Sequence, residues 1–333
     1  MNNLMKPRSV LQVGDIAGVA ATLAHGLRQY TAWSVDEVAL PPPTADGKFA
    51  KALEIPKRGL DARRLVRSAV KAQQPSLLHV HWARYAPFIG AQPCPTIIHA
   101  HGSDVRGRAG SVSGRVVLRA LGRARAVLVS TPDLLDDVGP NATYLPNPID
   151  TNVFAPADTA KLAPTNERPT VFVFSQLIEV KGAKTLLAAA RLMKAQAPDL
   201  RIIALSGGTY DNEARDCGIE MLPRQTRVQL AALLAQVDVV VGQLILGSLG
   251  LSELEAMACA KPVVAYVREG LYVRDVPVVS ARTAEQVAQE CASLIADAAC
   301  ARTLGQRARD YVLETHDTEV VVAQLASIYE GLL

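Results

Sequence analysis

Aromatic residues make up only 5% of this 333-residue chain, and its two most basic stretches contain none. That argues against a nucleic-acid partner, because single-strand binders stack bases on aromatic rings set among their cations. The five cysteines (Cys94, Cys217, Cys259, Cys291 and Cys300) are odd in number and form no C-x-x-C. Reduced thiols are expected, and a disulfide framework is not. No uncharged apolar run reaches the ~18 residues of a membrane span. The opening "MNNLMKPRSVLQVGD" lacks the long apolar core of a secretory signal. A cytoplasmic location is the expectation. The dinucleotide fingerprint G-x-G-x-x-G is also absent; the first glycine loop, "VGDIAGVAATLAHGL", carries G-x-x-x-G.

What is present is a large apolar fraction, 49%, against 20% charged residues. The length suggests about two domains with sizeable cores. Net charge is +3 but uneven: residues 1–150 hold 18 basic and 11 acidic side chains, and residues 151–333 hold 17 and 21. The basic excess gathers in "PKRGLDARRLVRSAVK" and "VRGRAGSVSGRVVLRALGRAR". Such stretches are either solvated helix faces or a surface for an anionic acceptor or the inner face of an acidic membrane.

Short apolar runs alternate with helical patterns. "VLQVG" (10–14), "LLHVHW" (77–82), "TIIHAH" (96–101), "AVLVST" (126–131) and "TYLPN" (143–147) form a first strand series. Residues 148–169 interrupt it with four prolines and little periodicity, which reads as a linker. The alternation resumes with "TVFVFSQ" (170–176), "RIIALSGG" (201–208), "IEMLP" (219–223), "DVVVGQ" (238–243), "PVVAYV" (262–267) and "VPVVSA" (276–281), and from Thr283 the tail reads as helix. Strands apolar on both faces and separated by helices predict parallel, doubly wound sheets. The expected architecture is two Rossmann-like α/β domains facing a cleft. Residues 1–148 form the first, 149–169 the linker and 170–315 the second. A helix over 316–333 packs back on the first domain.

Two histidine pairs stand out, His79/His81 and His99/His101. Residues i and i+2 of a strand share a face, so either pair could hold a metal. His25 and His316 are the remaining histidines and have no acidic cluster beside them. No metal is therefore expected. His79 and His99 lie within apolar runs and read as sheet residues.

"TYLPNPIDTNVFAP", "FSQLIEVKGAKTLLAAARL" and "LSELEAMACAKPVVAYV", in this order and spacing, resemble the retaining glycosyltransferases of family 4, which have the GT-B fold. "HAHGSDVR" and the opening glycine loop fit the N-terminal half of that pattern. The resemblance implies a nucleotide-sugar donor in the C-terminal domain and an acceptor, small molecule, glycan or lipid-linked, in the N-terminal domain. It implies no metal and no other cofactor.

The residues agree with that chemistry. A departing diphosphate needs positive charge or oriented N–H groups. Lys181 and Gly182 sit at a strand-to-helix turn, where Lys181 matches the family's donor-phosphate lysine or is a surface lysine at a helix start. The turn "GQLILGSLGLSELE" adds Gln243, Gly247, Ser248, Gly250 and Leu251 before a helix. Its Glu255 matches the family's ribose-binding carboxylate, and Glu253 is the better candidate for a helix-start role. On the acceptor side the resemblance points to Gly14, Asp15 and Gly18, to His81 and Trp82, and to Asp104 and Arg106. Gly14, Asp15 and Gly18 have helix–sheet packing as the alternative role. Asp104 and Arg106 instead orient His101 or cap a turn. His101 matches the active-site histidine beside the transferred sugar.

The chain departs from the pattern at three places. Gly247 stands where the family has a first glutamate, and Gln176 where it has an arginine. Asn147-Pro148 replaces Asn-Gly. Arg268 is expected to supply the lost cation. The expected activity is metal-independent sugar transfer with retention. A non-catalytic sugar-nucleotide-binding subunit and a sugar-nucleotide epimerase are the alternatives.

Overall fold

The computed structural model describes residues 8–40, 48–156 and 168–333. It divides into two compact units, Met1–Pro148 with Thr318–Leu333, and Ile149–Asp317.

Unit 1 runs β1 (Ser9–Val13), α1 (Val19–Tyr30), β2 (Ser34–Val38), α2 (Lys48–Gln73), β3 (Leu77–His81), α3 (Ala86–Ile89), β4 (Thr96–Ala100), α4 (Val112–Leu121), β5 (Ala126–Val129), α5 (Leu135–Val138) and β6 (Ala142–Tyr144). All its strand pairs are parallel, in the order β2-β1-β3-β4-β5-β6. Alternation divides the sheet into two faces. Leu11, Val13, Leu78, Val80, Ile98, Ala100 and Val129 pack with Val66 and Val70 of α2 and with Val117 and Leu121 of α4. The opposite face carries Gln12 beside His79 and His81 beside His99. The edge strand β2 has no counterpart in the sequence reading. It buries Val35 among polar neighbours and so lacks a continuous apolar run.

Unit 2 opens with Ile149 and Phe154, both fully buried in its core. This part of the expected linker is therefore packed structure, and residues 157–167 lie outside the described residues. The elements that follow are β7 (Thr170–Val173), α6 (Ala183–Gln196), β8 (Arg201–Leu205), α7 (Asp211–Asp216), β9 (Glu220–Leu222), α8 (Arg227–Ala235), β10 (Val239–Val241), α9 (Leu251–Ala258), β11 (Val263–Ala265), β12 (Val279–Ser280), α10 (Ala284–Ala296) and α11 (Ala298–Thr315). The sheet order is β12-β11-β10-β7-β8-β9, again parallel. The direction of winding reverses between β7 and β10, and loops leaving the carboxyl ends of strands at such a point are where open α/β sheets bind ligands.

The helical tail is broken twice. The Asp297 carboxylate caps α11 by accepting from Ala299 and Cys300 amides at 3.1 and 2.9 Å. After His316 and Asp317 the chain returns to unit 1 as α12 (Thr318–Glu330), which packs on α1. Gly26 of α1 makes that approach possible: a Cβ there would stand 2.5 Å from Thr318 Cγ2. Among the described residues no helix is long and apolar enough to cross a membrane.

Candidate functional site

In unit 2 the loop after β7 makes a single 3-10 turn, Glu179–Lys181, and Gly182 then opens α6 at φ +90°. The Lys181 carbonyl accepts the Leu244 amide at 3.1 Å. A side chain at Gly182 would begin 3.1 Å from Leu244 Cβ. Glycine is needed there both for its left-handed backbone and for this close approach. The β7 loop and the β10 loop are thus locked together at the switch point. Of the two lysines nearby, Lys184 pairs with Glu179 at 3.1 Å. The Lys181 ammonium makes no hydrogen bond or ion pair among the described residues.

The β10 loop is built around Gln243. Its side-chain nitrogen donates to the carbonyls of Ser248 and Tyr266 at 3.0 and 2.9 Å. Its oxygen accepts the amides of Ile245 and Leu246 at 2.9 and 2.6 Å. All four hydrogen-bonding valences are used inside the protein. Gln243, expected among the donor contacts, is instead the brace of the loop. Glu253 completes the frame, accepting from the amides of Gln243 and Gly250 at 2.8 and 3.0 Å. Ser248 is buried within the loop, and Gly250 and Leu251 begin α9, whose first amides have no partner within the helix.

Gly247, at the position of the missing glutamate, adopts φ +75°. A Cβ there would lie 3.0 Å from Arg268 Cβ and 3.1 Å from Tyr266 Cε1. Its carbonyl accepts the Arg268 amide at 2.9 Å. The structure therefore brings Gly247 and Arg268 together, and the missing carboxylate reflects a loop that has no room for one. Gln176 donates to the Gly207 carbonyl at 2.7 Å, on the β8 side of β7.

Glu255 is 9% exposed. Burial pushes its carboxyl up to about 7, Arg227 opposes the shift and Glu253 adds to it. The Arg227 guanidinium lies 4.0 Å away. This partner escaped the sequence reading because Thr226 and Gln229 signal only a helix start, the capping box that α8 indeed has.

In unit 1 the four histidines form a column of imidazoles. His79 and His81 stack at 4.3 Å between centroids, His99 and His101 lie at 4.3 Å, and His81 and His101 at 5.3 Å. His79, His81 and His99 each offer a ring nitrogen within 4.8 Å of the others. Stacked rings aim their in-plane lone pairs side by side, however, and that three-residue group contains no carboxylate to balance a divalent charge. His79 Nδ1 instead meets the Tyr329 hydroxyl at 2.6 Å. His81 Nδ1 and His101 Nε2 share one hydrogen bond at 3.1 Å, so their tautomers are complementary. Burial holds His101 neutral, down to about 3, and lowers His79, His81 and His99 as well, with neighbouring imidazoles adding to the shift.

Several expected acceptor contacts turn out to be internal. His81 is fully buried, and so is Asp104. Asp104 accepts the Ala83 amide at 2.7 Å and the His101 amide at 3.1 Å, tying two strand ends together and orienting His101. Arg106 is paired with Asp133 at 2.7 Å. Asp15 accepts the Ala20 amide at 2.9 Å at the start of α1, which Gly18 opens at φ +80°. Gly14 packs on the His81 carbonyl, 3.3 Å from where a Cβ would stand. Trp82 remains half-exposed at the end of β3, in a left-handed conformation (φ +84°) that costs a non-glycine residue about 1–3 kcal/mol.

Residues 155–311 match the family of glycosyl transferases group 1. The matched residues lie within the second unit. The GDP-mannose-dependent alpha-(1-6)-phosphatidylinositol monomannoside mannosyltransferase of Mycobacterium tuberculosis is 29% identical over 220 residues, covering 58% of this chain and 57% of that protein. Alpha-maltose-1-phosphate synthase of Mycolicibacterium smegmatis is 30% identical over 265 residues, 66% of each chain. The chain thus spans a little over half the length of the mannosyltransferase it matches. Sucrose-phosphate synthase of Thermosynechococcus elongatus superposes with a TM-score of 0.75 at 17% identity, covering 98% of this chain and 99% of that one. Anabaena HepE, solved with UDP and glucose, gives 0.73 at 17%, covering 97% and 99%. These neighbours establish the GT-B fold.

Placing a glutamate at this position, as Gly247→Glu, is expected to harm the second unit. A left-handed L-residue costs about 1–2 kcal/mol, which lowers the melting temperature by a few degrees. Calorimetry should show no gain in nucleotide affinity. Unchanged melting with tighter binding would show that the loop tolerates a side chain there.

Proposed function

We propose that the protein transfers a sugar from a nucleotide-sugar donor to an acceptor with retention of anomeric configuration and without a metal ion. The observation that carries this reading is the junction at the β7/β10 switch. Lys181, unpaired among the described residues, and the amide-bearing start of α9 lie on two loops bonded to each other, and Glu255 is on the same helix. Lys181 and the amides suit a diphosphate, and a buried carboxylate suits a ribose diol, which donates two hydrogen bonds. GDP-mannose, named for the mannosyltransferase relative, and UDP-glucose, bound in a HepE structure, support a nucleoside diphosphate as the leaving group.

In this mechanism the sugar–phosphate bond breaks as the diphosphate, held by Lys181, takes the acceptor hydroxyl's proton. The acceptor oxygen bonds the anomeric carbon on the face the phosphate leaves. No side chain becomes bonded to the sugar. His101, neutral and fixed by Asp104 and His81, is the unit 1 group proposed to hydrogen-bond the transferred sugar. Arg268 is proposed as a further donor contact beside Gly247.

A lipid-linked acceptor fits the basic first half and the α4 surface. There Val112 and Val116 are 71% and 50% exposed, on a helix that also carries Arg115 and Arg119. The name of the mannosyltransferase relative, a phosphatidylinositol mannoside enzyme, points the same way. The proposed location is cytoplasmic and peripheral to the inner face of the membrane.

Sugar transfer from a panel of nucleotide sugars, with the product anomer read by NMR, tests the reaction. An inverted product would overturn retention. Donor turnover without an acceptor product would favour the epimerase, and nucleotide binding without turnover would favour a non-catalytic subunit. Lys181→Ala should lower turnover roughly ten- to hundredfold, the worth of one charge-assisted contact; wild-type kinetics in the folded variant would remove Lys181 from the site.

Glu255 gives a pH signature. A ribose diol donates to the ionised carboxylate, which in the free protein forms only as pH rises through about 7. Nucleotide affinity should therefore rise about tenfold per unit below that value and level off above it. Glu255→Gln should flatten this profile, and a wild-type profile that is flat between pH 6 and 8 would contradict the role. Cosedimentation with anionic phosphatidylglycerol vesicles, but not phosphatidylcholine vesicles, is expected at low salt. Equal sedimentation with both would dismiss the charged contact.

A further inference from the structure

Position 176 lacks the cation that the family pattern places there, and the structure shows what stands next to it. Gln176 donates to the Gly207 carbonyl at 2.7 Å. Gly207 follows β8 and adopts φ +120°, and the Asp211 carboxylate fixes its amide at 2.7 Å and that of Gly208 at 3.0 Å. On the bare α-carbon of Gly207 lies the guanidinium of Arg224, from the loop after β9. Its Nη2, Nε and Cζ are 2.9, 3.1 and 3.4 Å from the point where a Cβ would be.

The Nε–Nη2 edge of the guanidinium is turned toward that point, since both nitrogens lie nearer to it than Cζ does. Any side chain at Gly207 would displace it. Arg224 is exposed, and its guanidinium makes no hydrogen bond or ion pair among the described residues. An arginine seated this way keeps its Nη1–Nη2 end for a ligand, and phosphate oxygens are the acceptors that this fork of donors matches.

We propose that Arg224 supplies the cation missing at position 176 and clamps the donor diphosphate from the β9 side. The proposal rests on the donor reading above and revises one expectation of the sequence, that Arg268 replaces the lost charge. Arg268 follows β11 and is bonded through its backbone to Gly247, on the far side of β10 from Gln176. Arg224 reaches the Gln176 side through the Gly207 turn. Diphosphate recognition in this chain then runs from Gly207 to Lys181, and Arg268 serves a different part of the donor.

Calorimetry separates these assignments without any acceptor. UDP, GDP and ADP are titrated into the full chain, and the tightest is compared with its monophosphate. Arg224→Ala should weaken the diphosphate roughly ten- to hundredfold, as expected for loss of a charge-assisted contact, while the monophosphate changes by less than about threefold. Arg224→Lys should fall between the two. Gln176→Arg should restore diphosphate binding in the Arg224→Ala background and not in Arg268→Ala. Wild-type melting of the single variants checks folding; Arg224 is exposed, so little change is expected.

Equal weakening of mono- and diphosphate would mean that Arg224 reads the nucleoside, and would overturn the proposal. So would unchanged diphosphate affinity, or rescue of Arg268→Ala by Gln176→Arg. Wild type that binds no nucleoside diphosphate would overturn the donor reading itself, whereas wild type that binds while Arg224→Ala binds equally well overturns this assignment alone.

Discussion

One hydrogen bond, from the Leu244 amide to the Lys181 carbonyl, organises the second unit's functional edge. It forms because Gly182 has no side chain to keep the two loops apart. The consequences spread outward from that point. The β7 loop presents a lysine whose ammonium has no partner among the described residues. The β10 loop, braced by Gln243 and Glu253, presents the start of α9. Gly247 can then turn left-handed against Arg268, and in doing so it excludes the carboxylate that relatives of this pattern carry. The departure at Gly247 is thus part of a consistent local geometry rather than an isolated loss.

The first unit solves a different problem. Its sheet carries four imidazoles, three of them fully buried, and burial keeps them uncharged. The column ends at His101, whose ring is fixed by His81 and whose backbone amide is fixed by Asp104. Two side chains that looked like ligand contacts therefore act one step back, on the orientation of a third. Such support restricts the rotamer and tautomer of His101, which is what a group placed against a reacting sugar requires.

Much of the fold was legible because parallel strands buried on both faces need unbroken apolar runs, and nine of the eleven segments that read as strands contribute three or more strand residues. "TYLPN" and "VPVVSA" contribute two each, to β6 and β12. Edge strand β2 was invisible for the same reason in reverse, being half polar. Ile149 and Phe154 were read as linker because prolines surround them, although tertiary packing claims both. At the site, residue types chosen for backbone reasons were readable: Gly182 for its turn, Glu253 for its helix start, Lys181 for its place. Roles that depend on what lies across space were not. Gln243 as a brace, Arg106 spent on Asp133, Arg227 beside Glu255 and Arg224 on Gly207 each join segments distant in sequence, and no local pattern announces them.

The central claim is that the β7/β10 junction is a nucleoside-diphosphate site. Thermal melting of the wild-type chain in UDP, GDP, ADP, the matching monophosphates and inorganic phosphate tests it most directly, because a ligand that binds the native state stabilises it by about 2.7 kcal/mol at a hundred times its Kd. The account predicts that one diphosphate raises the melting temperature clearly more than its monophosphate or free phosphate does. A melting temperature unmoved by every diphosphate at millimolar concentration would contradict it.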